Sequence, residues 1–391
     1  MIRIAVIGAG NRAGKYISCL LDRDDAAVTA IVEPSEIRLR KAASLAGVAP
    51  EHRYRSVGEF FEKEKDVDAV IITTPDRLHH SVAMGALEKG WHILVEKPLA
   101  TSWAECVEIA DTATEKGLVA GCCLVMRYHP YYQKIKELVD GGAVGRVLSI
   151  DHREAIGPDR MSHTFVRGLW SRSEDAAPIF LAKCSHDTDF LLTLVPGRAK
   201  TVSSRSSLSL FRKENAPAGS QERCPDCPLE RTCPYSASEL YLRRSEWISG
   251  FDIPEGGSLE DVLRDELRHG RYGRCVYRCD NDVADSQKVD IEMESGVRIS
   301  VELDGTSLDE GRTIVIRGTA GVLTAGKDII TLENAGGNGR FDFRSENKRP
   351  LHAGADRAVI EDFISAIRSG SEMRASLAST LEAHRICIEA E

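Results

Sequence analysis

Over the first 125 residues, short runs that are apolar almost throughout alternate with stretches whose apolar side chains recur every three or four positions. Ile2 to Gly8, Val28 to Glu33, Ala69 to Thr74, His92 to Glu96 and Leu118 to Val125 predict strands, with helices over Val82 to Lys89 and Ala104 to Glu115. Strands without a polar face are buried on both sides, the condition of a parallel sheet covered by helices. Residues 1–125 therefore predict a doubly wound α/β domain.

Beyond Pro130 the pattern changes. A helix over Tyr132 to Asp140 leads into the strand VLSIDHREA. Later segments alternate apolar and polar residues, as strands with one wet face do: VSSRSSLSLF, KVDIEMES, VRISVEL, TIVIRGTAGVL and DIITLEN. Glu294 to Val297 reads as a hairpin turn, and Asp356 to Arg368 and Leu377 to Glu389 read as closing helices. Residues 126–391 predict an α+β domain on a large open, mainly antiparallel sheet, with a Cys-rich inserted loop at 212–280.

Composition narrows the function classes. The 391 residues carry 51 Lys plus Arg against 60 Asp plus Glu, a formal charge of -9, so no general attraction to nucleic acid or an anionic membrane is expected. No apolar run approaches the roughly 18 residues of a membrane span. Eleven cysteines, an odd number scattered mostly through apolar contexts, read as buried thiols and not as a disulfide framework. Met1 leads straight into a strand with no basic, cleavable leader, so a reducing cytoplasm is expected.

Gly8-Ala9-Gly10-Asn11-Arg12-Ala13 joins the first strand to the first helix. Gly8 permits a tight turn, Gly10 lets backbone approach a pyrophosphate, and Ala13 allows close helix packing. Glu33 ends the second strand, where a carboxylate accepts hydrogen bonds from ribose hydroxyls and repels a 2'-phosphate, so NAD is expected over NADP. Were Glu33 merely solvated, Arg38 or Arg40 could offset that phosphate's charge and the preference would stay open.

At the end of the fifth strand stands Glu96-Lys97-Pro98, where a lysine can donate a hydrogen bond to a reacting oxygen. With Gly8-Ala9-Gly10, Thr73-Thr74-Pro75 followed by His79, and Arg127-Tyr128-His129-Pro130, this series resembles the Gfo/Idh/MocA family of NAD(P)-dependent oxidoreductases. The resemblance implies a Rossmann domain followed by an open-sheet domain that often mediates homo-oligomerisation. It implies cofactor contacts at Gly8, Gly10, Asn11, Arg12, Ala13, Glu33, Thr73, Thr74, Pro75, His79, Glu96 and Lys97. The family's D-x-x-x-H-x-x-D helix maps onto Ala182 to Asp189, which places its acid–base histidine at His186 and its last carboxylate at Asp189. Ala182 stands where the first carboxylate belongs, and Lys183 is the nearest charged substitute.

Hydride transfer from a ring hydroxyl of a sugar or polyol is the expected reaction, with Lys97 on the oxygen and His186 taking the proton. Asp189, three residues on, would orient that imidazole. Two alternatives stand: an NAD-dependent glycosidase that oxidises, eliminates, hydrates and reduces again, and a nucleotide-sensing protein without turnover. Arg127, Tyr128, His129, Arg167 and Trp170 are the expected substrate contacts, the arginines suiting an acidic sugar.

RCPDCPLERTC holds Cys224, Cys227 and Cys233 in a polar loop with no apolar reason for thiols to gather. The spacing predicts a structural zinc, with an iron–sulfur cluster as the alternative. Cys275, Cys279 and His269 are candidate fourth ligands, and Cys275 is preferred because it follows the turn-like Tyr272-Gly273-Arg274. Thiolates on every position leave none for substrate, so such a metal stabilises the loop and takes no part in catalysis.

Overall fold

The apolar runs of the first half become the strands β1 Ile2–Ile7, β2 Ala26–Val32, β3 Arg53–Tyr54, β4 Ala69–Ile72, β5 His92–Val95 and β6 Ala120–Cys122 of a computed structural model. It describes every residue except 245, 246, 248–251 and 255. Between the strands run α1 Asn11–Leu20, α2 Glu36–Ala46, α3 Val57–Lys63, α4 His79–Glu88 and α5 Trp103–Glu115. The sheet has the order β3-β2-β1-β4-β5-β6 with every pair parallel. Ile4 to Ile7, Ala69 to Ile72 and Ile93 to Val95 are fully buried, as strands covered on both faces require.

Local signals set the helix ends. Ser35 caps α2 and Gly47, at φ +69°, closes it, while Ser102 and Glu105 form a reciprocal capping box on α5. β3 escaped the sequence pattern because two residues carry no periodicity.

The second sheet is built from β7 Val147–Ala155, β8 Ala199–Ser207, β9 Ser286–Met293, β10 Arg298–Asp304, β11 Gly311–Gly318, β12 Gly321–Gly326, β13 Ile329–Asn334 and β14 Gly337–Asp342. Its order is β14-β13-β12-β11-β7-β10-β9-β8, and β10 runs parallel to β7 within an otherwise antiparallel ladder. TIVIRGTAGVL, expected as one strand, is the β11–β12 hairpin, because the Thr319 and Ala320 amides bond back to the Arg146 and Val144 carbonyls. The strand expected to reach Phe211 stops at Ser207. The amides of Ser209 and Leu210 instead donate to the buried Asp285 carboxylate.

The remaining helices are α6 Pro130–Asp140, α7 Pro158–Arg160, α8 Ile179–Leu194, α9 Ala237–Arg243, α10 Leu259–His269, α11 Pro350–Ala353, α12 Ala355–Ser369 and α13 Leu377–Glu389. A π-helical turn spans Met161–Val166. α9 and α10 lie in the insertion expected over 212–280, part of which falls outside the described residues.

The chain divides into two units. Met1–Ala143, Ser185–Pro196 and Phe341–Glu389 form the first, while Val144–Cys184, Gly197–Arg340 and Ala390–Glu391 form the second. This differs from a single division after residue 125, since α6, α12 and α13 fall in the first unit. The reason is burial: Val359, Ile360, Phe363 and Ile364 of α12 belong to the same apolar core as the parallel sheet.

Candidate active site

The first unit's strand order reverses between β1 and β4, and open α/β sheets bind ligands at such a point, beyond the strands' carboxyl ends. Gly8 follows β1 at φ +92°, and a Cβ there would meet the Thr73 carbonyl oxygen at 2.6 Å. Only glycine suits that turn. Gly10 has nothing within 4 Å of where its Cβ would stand, and α1 begins at Asn11 without a side-chain cap, leaving amide donors open to an anion. Ala13 of α1 is fully buried.

Glu33 lies just past β2 and is buried. Its carboxylate accepts the Ala9 amide at 2.7 Å and the Ser35 amide at 3.0 Å, with Arg38 Nη1 3.9 Å away. The same side chain thus shapes the glycine turn and offers acceptor oxygens beside it. On the other side of the strand reversal, Thr73 Oγ1 donates to the Gly8 carbonyl at 2.8 Å. Thr74 is half-buried and Pro75 exposed.

Four sequence-predicted residues are fasteners. Arg12 points into the protein, with Nε 2.6 Å from Glu96 Oε1 and Nη2 2.7 Å from Asp356. Tyr16 also donates to Glu96 at 2.6 Å, and Glu96 accepts the Lys97 amide at 3.1 Å. Burial opposes the charge on Glu96, yet the Arg12 charge and the Tyr16 hydrogen bond hold its carboxyl below the usual range. His79 is fully buried, and its ring nitrogens lie 2.7 Å from the Pro98 carbonyl and 2.9 Å from that of Thr74, tying two ligand-side loops together. Asp189, expected to orient His186, gives both oxygens to Arg127 at 2.6 and 2.7 Å.

Lys97 is half-buried and precedes a cis peptide bond to Pro98. The next amide, Leu99 N–H, donates to His384 Nε2 at 2.9 Å, and His384 Nδ1 lies 2.9 Å from the Thr380 carbonyl. Burial pushes His384 down to about 4, so the ring is neutral and can accept that amide. Tyr16, Asp356 and His384 were not foreseen. The only signals were a Tyr four residues beyond Arg12 and two polar residues inside apolar helical patterns.

His186 is half-buried on α8, and both it and Lys97 belong to the first unit. Lys183 belongs to the second unit and pairs there with Glu154 of β7. Tyr128 is buried, donating to Asp362 at 2.6 Å, and His129 caps α6 by accepting the Tyr131 amide. Trp170 is half-buried in the second unit. Of the arginines expected on substrate, Arg127 pairs with Asp189 and Arg167 bonds to carbonyls of the cysteine loop.

Cys224, Cys227, Cys233 and Cys275 line one pocket of the second unit. Cys279 is turned to the Cys275 carbonyl, and His269 is an exposed residue at the end of α10.

A parallel sheet of this order, with a glycine turn, an open helix start and an acidic residue after β2, defines a dinucleotide-binding Rossmann domain. Residues 2–122 match the model of the oxidoreductase family with an NAD-binding Rossmann fold, Gfo/Idh/MocA. The chain is 35% identical over 130 residues to a dTDP-3,4-didehydro-2,6-dideoxy-alpha-D-glucose 3-reductase of Streptomyces violaceoruber, covering 33% of this chain and 37% of the relative. It is 31% identical over 150 residues to an inositol 2-dehydrogenase of Rhodococcus jostii, covering 38% and 40%. The matched stretch thus spans about two fifths of these relatives' own lengths. Over 99% of the chain the fold is similar to an oxidoreductase of Agrobacterium radiobacter solved with NAD+, L-tartaric acid and magnesium, with 94% of that protein covered, TM-score 0.72 and 16% identity. Among the described residues no helix is long and apolar enough to cross a membrane.

Proposed function

We propose that the protein is an NAD-dependent oxidoreductase acting on a ring hydroxyl of a sugar or sugar-like polyol, working as a homo-oligomer in the cytoplasm. The observation that carries this reading is the Lys97 loop: it lies at the carboxyl end of β5, in the same parallel sheet as the open Gly8–Arg12 turn, and is fixed by Glu96, His79 and His384. The turn fits a dinucleotide, since Gly10 is unobstructed and Glu33 presents a carboxylate where ribose hydroxyls would lie. NAD bound there supplies the hydride acceptor. Lys97 holds the substrate oxygen by a charged hydrogen bond, and His186 takes its proton, which makes loss of hydride from the same carbon favourable. Glu33 favours NAD over NADP.

Any metal on the cysteine loop stands outside this chemistry, because thiolates would fill its coordination. Incubation with NAD and a panel of free sugars, polyols and glycosides tests the reading. NADH should accumulate with a free sugar or polyol, and Lys97→Met should lower kcat by roughly 10²–10⁴-fold while NAD binding persists. Aglycone release without NADH would replace it with redox-neutral glycosidase chemistry, and NAD binding without turnover would replace it with a sensor.

A further inference from the structure

Among its described residues, the insert of the second unit buries a modest number of apolar side chains. Its apolar cluster consists of Cys224, Ala237, Leu240, Tyr241 and Leu267, with Trp247, Leu263 and Tyr272 packed at the edge. Tyr235, Val276 and Tyr277 are buried in the insert as well, still a modest core for a segment of this length, and small cores of this kind are usually reinforced by a cross-link or a metal.

The cysteines sit where such a link would act. Arg223 and Arg274 form an antiparallel bridge, and the Cys275 amide donates to the Glu222 carbonyl at 2.9 Å, which sets Cys224 beside Cys275 although fifty residues separate them. The Cys227 amide closes a turn onto the Cys224 carbonyl at 3.0 Å, and the Arg278 amide closes another onto Cys275 at 2.9 Å. The Ser236 amide closes a third turn onto the Cys233 carbonyl at 3.1 Å, so three turns present four thiols to one pocket.

The groups around the sulfurs are hydrogen-bond donors. Cys224 Sγ receives the Ala237 amide at 3.4 Å and Arg167 Nη2 at 3.5 Å. The backbone N–H groups of Tyr235 and Tyr277 are aimed at the sulfurs of Cys233 and Cys275. Donors of this kind are suited to hydrogen-bond sulfur that is bound to a metal. Arg167, 3% exposed, lines the same pocket. Its other bonds go to the carbonyls of Arg274 at 2.6 Å and Tyr235 at 2.7 Å, and its Nη1 is buried without a hydrogen-bond partner. Carbonyls and a neutral thiol do not balance a buried guanidinium, whereas a metal centre with four thiolates carries net negative charge that does.

We propose that Cys224, Cys227, Cys233 and Cys275 hold a metal centre through four thiolates, balanced by Arg167, and that this centre clamps the insert. Two centres share that ligand chemistry, zinc and an iron–sulfur cluster. Among the described residues no three of the four sulfurs lie within 4.8 Å of one another, against roughly 3.8 Å along the edge of a zinc tetrahedron with Zn–S near 2.3 Å. Zinc would draw the three turns inward, while a cluster bridges a wider spacing. With every outer ligand position taken by cysteine, neither centre leaves a position open to substrate, and a zinc there is structural.

The test uses the full chain, purified anaerobically without chelator, and measures zinc, iron and acid-labile sulfide per chain together with the visible spectrum. The expected result is about one centre per chain. Colourless protein with zinc alone assigns zinc, whereas brown protein with matching iron and sulfide assigns the cluster. Cys233→Ser should lose the metal and Cys279→Ser keep it. Arg167→Met should weaken retention against a chelator by roughly 10–100-fold. Wild-type protein with less than about a tenth of a centre per chain would overturn the proposal, and so would full metal retention in Cys233→Ser. The wild-type measurement decides the matter even if a variant fails to fold, and it is independent of the dehydrogenase reading.

Discussion

The Lys97 loop of the first unit and the cysteine loop of the second are both irregular segments that must keep polar side chains in place, and they do so by opposite means. Around Lys97 the fixing groups are bonded to one another and each charge meets an opposite one, although Arg12 Nη1 is left without a hydrogen-bond partner. Glu96 takes bonds from Arg12, Tyr16 and the Lys97 amide, His79 spans two carbonyls, and His384 accepts the Leu99 amide. They lie within a core that includes the whole parallel sheet and α12, so each polar bond forms in a low-dielectric setting already held by apolar burial. The cysteine loop has a small apolar cluster, and its buried guanidinium, Arg167, bonds to carbonyls and a thiol where Arg12 meets the carboxylates of Glu96 and Asp356. A large core can carry a precise polar network, whereas a small one needs a stronger link.

Three experiments probe that contrast. The largest effect is expected from the buried pair Arg127–Asp189. Asp189→Asn leaves the Arg127 charge buried and uncompensated, which should cost about 3–5 kcal/mol in urea unfolding, and adding Arg127→Met should recover most of that. A null effect would mean that the first unit does not depend on its buried charges.

Acid comes next. The folded pKa of His384 lies at about 4, below the roughly 6.5 of an unfolded chain. Between those values the unfolded state binds the extra proton. The stability from His384 is therefore complete above pH 6.5 and is lost as pH falls toward 4, by roughly 3 kcal/mol in all. His384→Gln should flatten the unfolding profile over that window. His163 of the second unit is pushed down to about 4 mainly by burial, so a separate transition for that unit should show the same direction. A profile for His384→Gln as steep as the wild type's would remove this histidine from the Lys97 support.

The smallest effect concerns cofactor choice. Glu33→Gln keeps an acceptor for the Ala9 amide but removes the charge, and should narrow the ratio of kcat/KM for NAD over NADP by about tenfold, a change near 1.4 kcal/mol. An unchanged ratio would show that Glu33 serves the turn alone.

The parallel half was legible because its signals are local. Runs such as AVII announce buried strands, and the glycines after β1 have no other comfortable use. The hairpin hidden in TIVIRGTAGVL was not legible, since its turn residues pair with the distant Val144 and Arg146 carbonyls. Arg12, Arg127, His79 and Asp189 were recognised as site residues by motif, but a motif cannot tell a ligand contact from a brace. That distinction is set by which neighbours the fold brings within bonding distance.

By itself, the sequence determined the parallel sheet, the nucleotide turn, the Lys97 strand end and the presence of a thiol-rich loop, because period, glycine placement and cysteine spacing act over a few residues. Tertiary structure alone decided that Arg12 turns inward to Glu96 and Asp356 and that His384 reaches the Leu99 amide from 285 residues away, and it placed Cys275, one of three candidates in the sequence, with the three earlier cysteines. Those choices are long-range because a buried charge, amide or thiol must be satisfied by whatever group the packed core places beside it, however distant in the chain.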